Sequence, residues 1–141
     1  MSDAPFANKY ASLALAIFRI MTALLFLQHA FQKLFAFPSP YTFGSTDPFT
    51  FMWFAGVIEL VGGTLVLVGL FTRVSAFILS GEMAVAYFMA HGSRGFYPIE
   101  NGGELAIMFC FGFLLLSAAG PGALSIDRHL AARRTTQSEA A

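Results

Sequence analysis

The chain has 141 residues, of which 57% are hydrophobic, 16% aromatic and 11% charged, and its formal net charge is zero. Soluble domains carry about 25% charged residues, so too few polar side chains are present to cover a water-facing surface. These proportions exclude a soluble enzyme, a disordered chain and a nucleic-acid binder, and the single cysteine excludes a disulfide framework or a cysteine-built zinc site.

A helix crosses about 30 Å of hydrocarbon with about 20 apolar residues. Four stretches meet or approach that length: Tyr10 to Phe35, Phe49 to Phe71, Val74 to His91 and Asn101 to Ala119. None alternates as a strand would. The first stretch carries Arg19, Gln28, His29, Gln32 and Lys33. It is too long and too polar for a cleaved leader, and is expected to be retained. Between the first and second helices, Ala36 to Pro48 holds three prolines and a glycine, which break both. Thr72 and Arg73 alone link the second and third helices, which forces an antiparallel hairpin. Gly92 to Ile99, with two glycines and Pro98, precedes the fourth helix, and Gly120-Pro121-Gly122 ends it. Cys110 reads as a small packing residue. The expected fold is all-α: one integral membrane domain over residues 1–141, a four-helix bundle running up-down-up-down. Residues 120–141 form a polar cytoplasmic tail, solvated and partly disordered from Ser125 onward.

Orientation follows from the distribution of Lys and Arg. Lys9, Arg73, Arg128, Arg133 and Arg134 fall on the side of the termini, against Lys33 and Arg94 on the other. That places both termini in the cytoplasm. Aromatics gather on the outer side, at Phe35, Phe37, Tyr41, Phe43, Phe49, Phe51, Trp53, Phe54, Phe96 and Tyr97. They form either an interfacial belt or a lid over an apolar pocket.

A charge at mid-membrane costs about 2.5–3.5 kcal/mol on insertion scales, and is tolerated when it pairs or lines a cavity. At about 1.5 Å per residue, Arg19, Glu59 and Glu82 lie about 12–15 Å deep and can form one buried ion-pair layer. His29, Lys33, His91, Asn101 and Glu104 lie nearer the outer face and can line a polar pocket. Arg19, His29 and Lys33 fall within about 80° on helix 1. Beside Glu59, Ala55, Gly56, Gly62 and Gly63 offer a small-residue face for close helix approach. Helix 3 carries a conflict. Glu82 and His91 are nine residues apart, about 180° on an ideal wheel, so either the helix unwinds before Gly92 and both face the bundle axis, or one of them faces a second subunit. A metal held by His29, His91 and Glu104 is a weaker alternative, because no HxxH or ExxH spacing supports it.

These residues, in order, resemble the DoxX family of small bacterial inner-membrane proteins. The resemblance rests on His29-Ala30-Phe31-Gln32-Lys33, on Trp53 followed by Glu59-Leu60-Val61-Gly62-Gly63, and on Gly69-Leu70-Phe71-Thr72-Arg73. It continues through Glu82-Met83, Tyr87 and His91, and Phe96-Tyr97-Pro98-Ile99-Glu100-Asn101-Gly102-Gly103-Glu104. Gly120-Pro121-Gly122, Ser125 and Asp127 complete it. Family members often have Gly where this chain has Ala30. The resemblance implies a multi-pass protein of the bacterial inner membrane. It also implies a link to quinone-dependent redox complexes, since some relatives are named as subunits of quinol oxidases or thiosulfate:quinone oxidoreductases.

The leading expectation is a quinone-linked subunit or redox-protein partner. His29, His91 and Glu104 would be the polar part of the pocket, and Lys33 would stabilise a developing anion. Arg19, Glu59 and Glu82 would relay protons. The sequence shows no evident redox centre, so electrons come from a partner or from the substrate. The alternatives are a structural or assembly protein whose buried charges only hold the bundle, and a small-solute transporter acting as a homo-oligomer.

Overall fold

A computed structural model describes residues 5–42 and 44–139, and the side chains of residues 10–42 and 44–133. Phe43 and the side chains of Lys9 and Arg134 lie outside the described residues. Among those described, the chain is all-helical with no strand. α1 spans Pro5–Phe35, α2 Phe51–Val68 and α3 Thr72–Ala90. A 3₁₀ turn at Gly92–Arg94 and the short α4, Pro98–Asn101, lead into α5 at Glu104–Ala119, and α6 is Ile126–Glu139.

Three segments are long and apolar enough to cross a membrane: Tyr10–Phe35, Phe51–Val68 and Thr72–Arg94. α5 is apolar but, at 16 residues, about 24 Å long. It starts three residues later than the sequence pattern predicts, because Gly102 takes a left-handed φ of +72° and ends the preceding turn. The segment from Ser125, expected to be partly disordered, is helical from Ile126.

The helices pack as two intimate pairs, α1 with α2 and α3 with α5; α2 meets α3 less extensively and α1 barely touches α5. Glycine permits the close approaches. A Cβ on Gly63 would stand 2.9 Å from the Leu27 side chain on α1, and one on Gly62 would stand 2.8 Å from Leu79 on α3. Adjacent glycines thus seat α2 against both neighbours. The core joins the pairs through Phe26, whose ring meets Phe109 at 5.1 Å and Phe113 at 4.8 Å, edge to face. Ser80 Oγ donates to the Cys110 carbonyl at 2.8 Å, tying α3 to α5. Outside this core, large apolar side chains such as Phe77, Phe88, Met108 and Phe111 are exposed. That surface suits lipid and not water.

At one end of the bundle, charged side chains close three helix termini. The last carbonyls of a helix and its first amides lack intrahelical partners. Arg19 Nη1 donates to the Val66 and Leu67 carbonyls of α2, both at 2.9 Å, and Nη2 donates to Leu124 O at 2.9 Å. Arg73 Nη1 donates to the Ser117 and Ala118 carbonyls at the end of α5, at 3.1 and 2.5 Å. The Asp127 carboxylate accepts from the amides of Phe71 and Thr72 at the start of α3, both at 2.9 Å. Gly69 completes the turn with φ +72°; a Cβ there would collide with Arg19 Nη1.

Burial by itself raises the Asp127 carboxyl. The amides of Thr72 and Phe71 and the charge of Arg19 outweigh it and hold the group below its ordinary value. A depressed carboxyl contributes stability above its unfolded value and loses it as pH falls through the folded one. Asp127→Asn is therefore expected to be less stable than wild type at pH 7. Its stability should also change less between pH 5 and pH 3, the range about the ordinary Asp value of about 3.9. Thermal unfolding in detergent across that range checks both. Equal acid slopes for the two proteins would show that the Asp127 charge is not what binds α6 to α3.

Candidate functional site

A cavity of about 690 Å³ lies between the two helix pairs, at the end away from the Gly69–Phe71 turn. Loop residues Ser39, Pro40, Tyr41 and Thr42 form part of its rim, with Gln32 donating to Ser39 Oγ at 2.9 Å. Its walls are mostly apolar. Several, including Phe54 and Ile58 on α2 and Ile78, Val85 and Met89 on α3, are themselves exposed. On the side of α2 and α3 the cavity is thus bordered by side chains of the apolar outer surface.

Five ionisable side chains of the helices and of the end of α3 line it: His29, Lys33, Glu59, Glu82 and His91. Lys33 Nζ forms an ion pair with Glu59 Oε1, and it lies 5.4 Å from the centre of the Tyr41 ring, within cation–π range. Glu59 is 1% exposed and its Oε2 has no partner; both oxygens of Glu82 are likewise buried and unpartnered. The His29 ring stands edge-on to Phe109 at 5.7 Å. His91 Nδ1 is 3.0 Å from the Asn101 carbonyl oxygen, which fixes the ring at the rim.

The predicted buried layer is corrected in one member. Glu59 and Glu82 face one cavity, but Arg19 does not join them. Val66, whose carbonyl Arg19 binds, is seven residues beyond Glu59 on α2, about 10 Å farther along the axis. A long side chain reaches well past its own Cα, and the open carbonyls at the end of α2 offer its guanidinium good acceptors. Lys33, placed by its height in the outer pocket, is the cation that meets Glu59.

The predicted outer pocket is also regrouped. His29, Lys33 and His91 line the cavity. Asn101 instead braces the α3–α5 connection: Nδ2 donates to Gly95 O at 2.8 Å and to Tyr87 Oη at 3.3 Å, and Oδ1 accepts from Gly103 N at 2.8 Å. Glu104 is exposed at the start of α5 and stands outside the lining. His29, His91 and Glu104 therefore do not converge on a metal; among the described residues no group of three or more His, Cys, Asp or Glu side chains does. The conflict on helix 3 resolves through unwinding. α3 ends at Ala90, and His91 leaves the helix with φ −121° and ψ −48°, so Glu82 and His91 reach the same cavity. Of the clustered aromatics, Tyr41, Phe51 and Phe54 line it. The sequence pattern gave no sign of Met52, Met83 and Met89 in the wall, since methionine on an apolar helix reads as core or lipid face.

The DoxX family profile matches residues 14–92. A Haemophilus influenzae protein named only as uncharacterized is 46% identical over 126 residues, 85% of this chain and 92% of the relative. An uncharacterized membrane protein of Mycobacterium tuberculosis is 33% identical over 133 residues, 83% of this chain and 81% of the relative. The inner membrane protein YqjF of Escherichia coli is 29% identical over 129 residues, 87% of this chain and 96% of the relative. No solved structure matches the chain. The matched segment holds Arg19 and, of the cavity lining, His29, Lys33, Glu59, Glu82 and His91: this chain is an integral membrane protein of the DoxX family.

Proposed function

We propose that the chain spans the bacterial inner membrane four times with both termini in the cytoplasm, and that its cavity takes a quinone-class ligand as a subunit or partner of a membrane redox system. The excess of Lys and Arg beside the capped helix ends supports the orientation. The inner-membrane location draws on the Escherichia coli relative.

The observation that carries the ligand is the cavity itself: about 690 Å³, mostly apolar, bordered by exposed apolar side chains, with a few convergent polar groups. Ligand sites have that character. A quinone ring and tail fit apolar walls, and its oxygens need hydrogen-bonding groups such as His29, His91 and the carboxyl of Glu82. Glu59 and Glu82 are placed to hold protons beside such a ligand, and Lys33 to favour a reduced, more anionic one. Electrons would come from a redox-protein partner.

The test is purification in native lipid, extraction of bound quinone, and thermal unfolding with added ubiquinone-1. A ligand at 100 times its Kd stabilises by about 2.7 kcal/mol, so a rise of several degrees in Tm is expected. No extractable quinone together with an unmoved Tm would sink this reading. The capped helix ends favour a second reading, in which the buried charges serve assembly alone. In that case Arg19→Ala abolishes accumulation while His91→Ala leaves complex formation intact.

A further inference from the structure

The charged groups in the cavity do not balance. Glu59 and Glu82 are two carboxyls, and Lys33 is the cation that pairs with one of them. Glu59 Oε2 and both Glu82 oxygens remain buried without a donor, and Glu82 lies within electrostatic reach of both Glu59 and Lys33. An uncompensated charge in a low-dielectric site costs several kcal/mol. One further positive charge would balance the set, and a proton is the smallest group that can supply it. The other titratable groups facing it are His29 on α1, His91 after α3 and Tyr41 on the loop; α5 contributes only apolar residues and Gly102 borders its start.

The surroundings select what else can carry that charge. The wall combines aromatic rings, Tyr41, Phe51, Phe54 and Phe109, with the thioethers of Met52 and Met83. Ring faces attract organic cations, and methionine adapts to varied apolar shapes. Exposed apolar side chains of α2 and α3, Phe54, Ile58, Ile78 and Val85 among them, border the cavity. A hydrated inorganic ion would have to shed its water and find several oxygen ligands, whereas an organic cation keeps an apolar body for these walls. We propose that the cavity binds a lipophilic organic cation entering from the bilayer, which displaces one proton from the Glu59–Glu82 pair. One positive charge enters and one proton leaves, so the charge of the site is unchanged. The proposal concerns the pocket's charge and does not depend on the quinone reading.

The full chain in phosphatidylcholine nanodiscs is titrated with tetraphenylphosphonium by calorimetry, against empty discs, between pH 5 and pH 8. Repetition in two buffers of different ionisation enthalpy counts protons. The expected result is saturable binding, release of close to one proton per cation, and a Kd that weakens toward tenfold for each unit of falling pH where the pair is protonated. Glu82→Gln is expected to bind at least tenfold more weakly, and Glu82→Asp to retain binding. Glu59→Gln should lose binding as well, because Lys33 is then free to neutralise Glu82. Should Glu82→Gln fail to fold, the proton count on the unaltered chain still decides. Binding no greater than to empty discs, binding without proton release, a folded Glu82→Gln that binds normally, or displacement of the probe by sodium would each overturn the proposal. Ubiquinone-1 is neutral, so its result in the same discs stands or falls separately.

Discussion

Lys33→Met is expected to destabilise the protein by about 3–5 kcal/mol, the usual cost of removing one member of a buried ion pair. Glu59 is 1% exposed and its Oε2 has no other partner, so loss of Lys33 strands a buried carboxylate. The methionine keeps most of the aliphatic stem beside Gly56, where a Cβ would lie 3.0 Å from Lys33 Cβ, so packing of α1 on α2 changes little. The double variant Lys33→Met/Glu59→Gln removes both charges and should recover at least half of the loss, since neutral replacements of buried pairs are often tolerated. Unfolding of each variant in mixed micelles measures this coupling. If the double variant is as unstable as Lys33→Met, the penalty arises from packing and the ion pair is not its source.

Arg19→Met is expected to lower stability by a similar amount or more, and to reduce accumulation in the membrane. The side chain is fully buried, and three of its hydrogen bonds reach Val66, Leu67 and Leu124. Hydrogen bonds from a charged group contribute about 1.5–3 kcal/mol each. Their removal leaves the end of α2 open and detaches the segment leading into α6. No compensating change at Glu59 or Glu82 is expected to help, because Arg19 is not their partner. A rescue of Arg19→Met by Glu59→Gln would show that the predicted Arg19–Glu59–Glu82 layer exists after all; pulse-chase accumulation and micelle unfolding of the pair decide it.

Some features could be read along the chain because they depend on local physics. Apolar runs of sufficient length must be helical in lipid, since every backbone polar group has to be satisfied internally. The break after Phe35 follows from the prolines in the same way, whereas the second helix, expected to run to Phe71, ends at Val68 because Gly69 takes a left-handed turn, and Thr72 and Arg73, read as the linker, begin α3. Glu59 and Glu82 stand out because carboxyls inside spans need a reason to be there. The unwinding after Ala90 was foreseeable as a geometric condition: two residues 180° apart reach one cavity only if the helix ends between them.

Pairing among charges was less legible. Depth counted from helix starts places Cα atoms, whereas an Arg or Lys head lies several ångströms away along the axis. That difference moved Arg19 to the carbonyls of α2 and brought Lys33 down to Glu59. The roles of Asp127 and Arg73 as caps on other helices were equally hidden, because a cap is recognised by local spacing only within its own helix. Glu104 and Asn101 share a height with His91, yet one is exposed and the other is consumed by the loop.

The sequence by itself determined that this protein lives in a membrane, that its helices are broken where glycine and proline demand it, and which few ionisable residues stand inside the spans. Those outcomes are set by hydration and backbone sterics, which act residue by residue. The tertiary structure alone decided that α1 pairs with α2 and α3 with α5, that a cavity opens between the pairs, and that the carboxyls there outnumber the cation that meets them. These depend on which side chains interdigitate and how far they reach, and short-range periodicity carries no record of that.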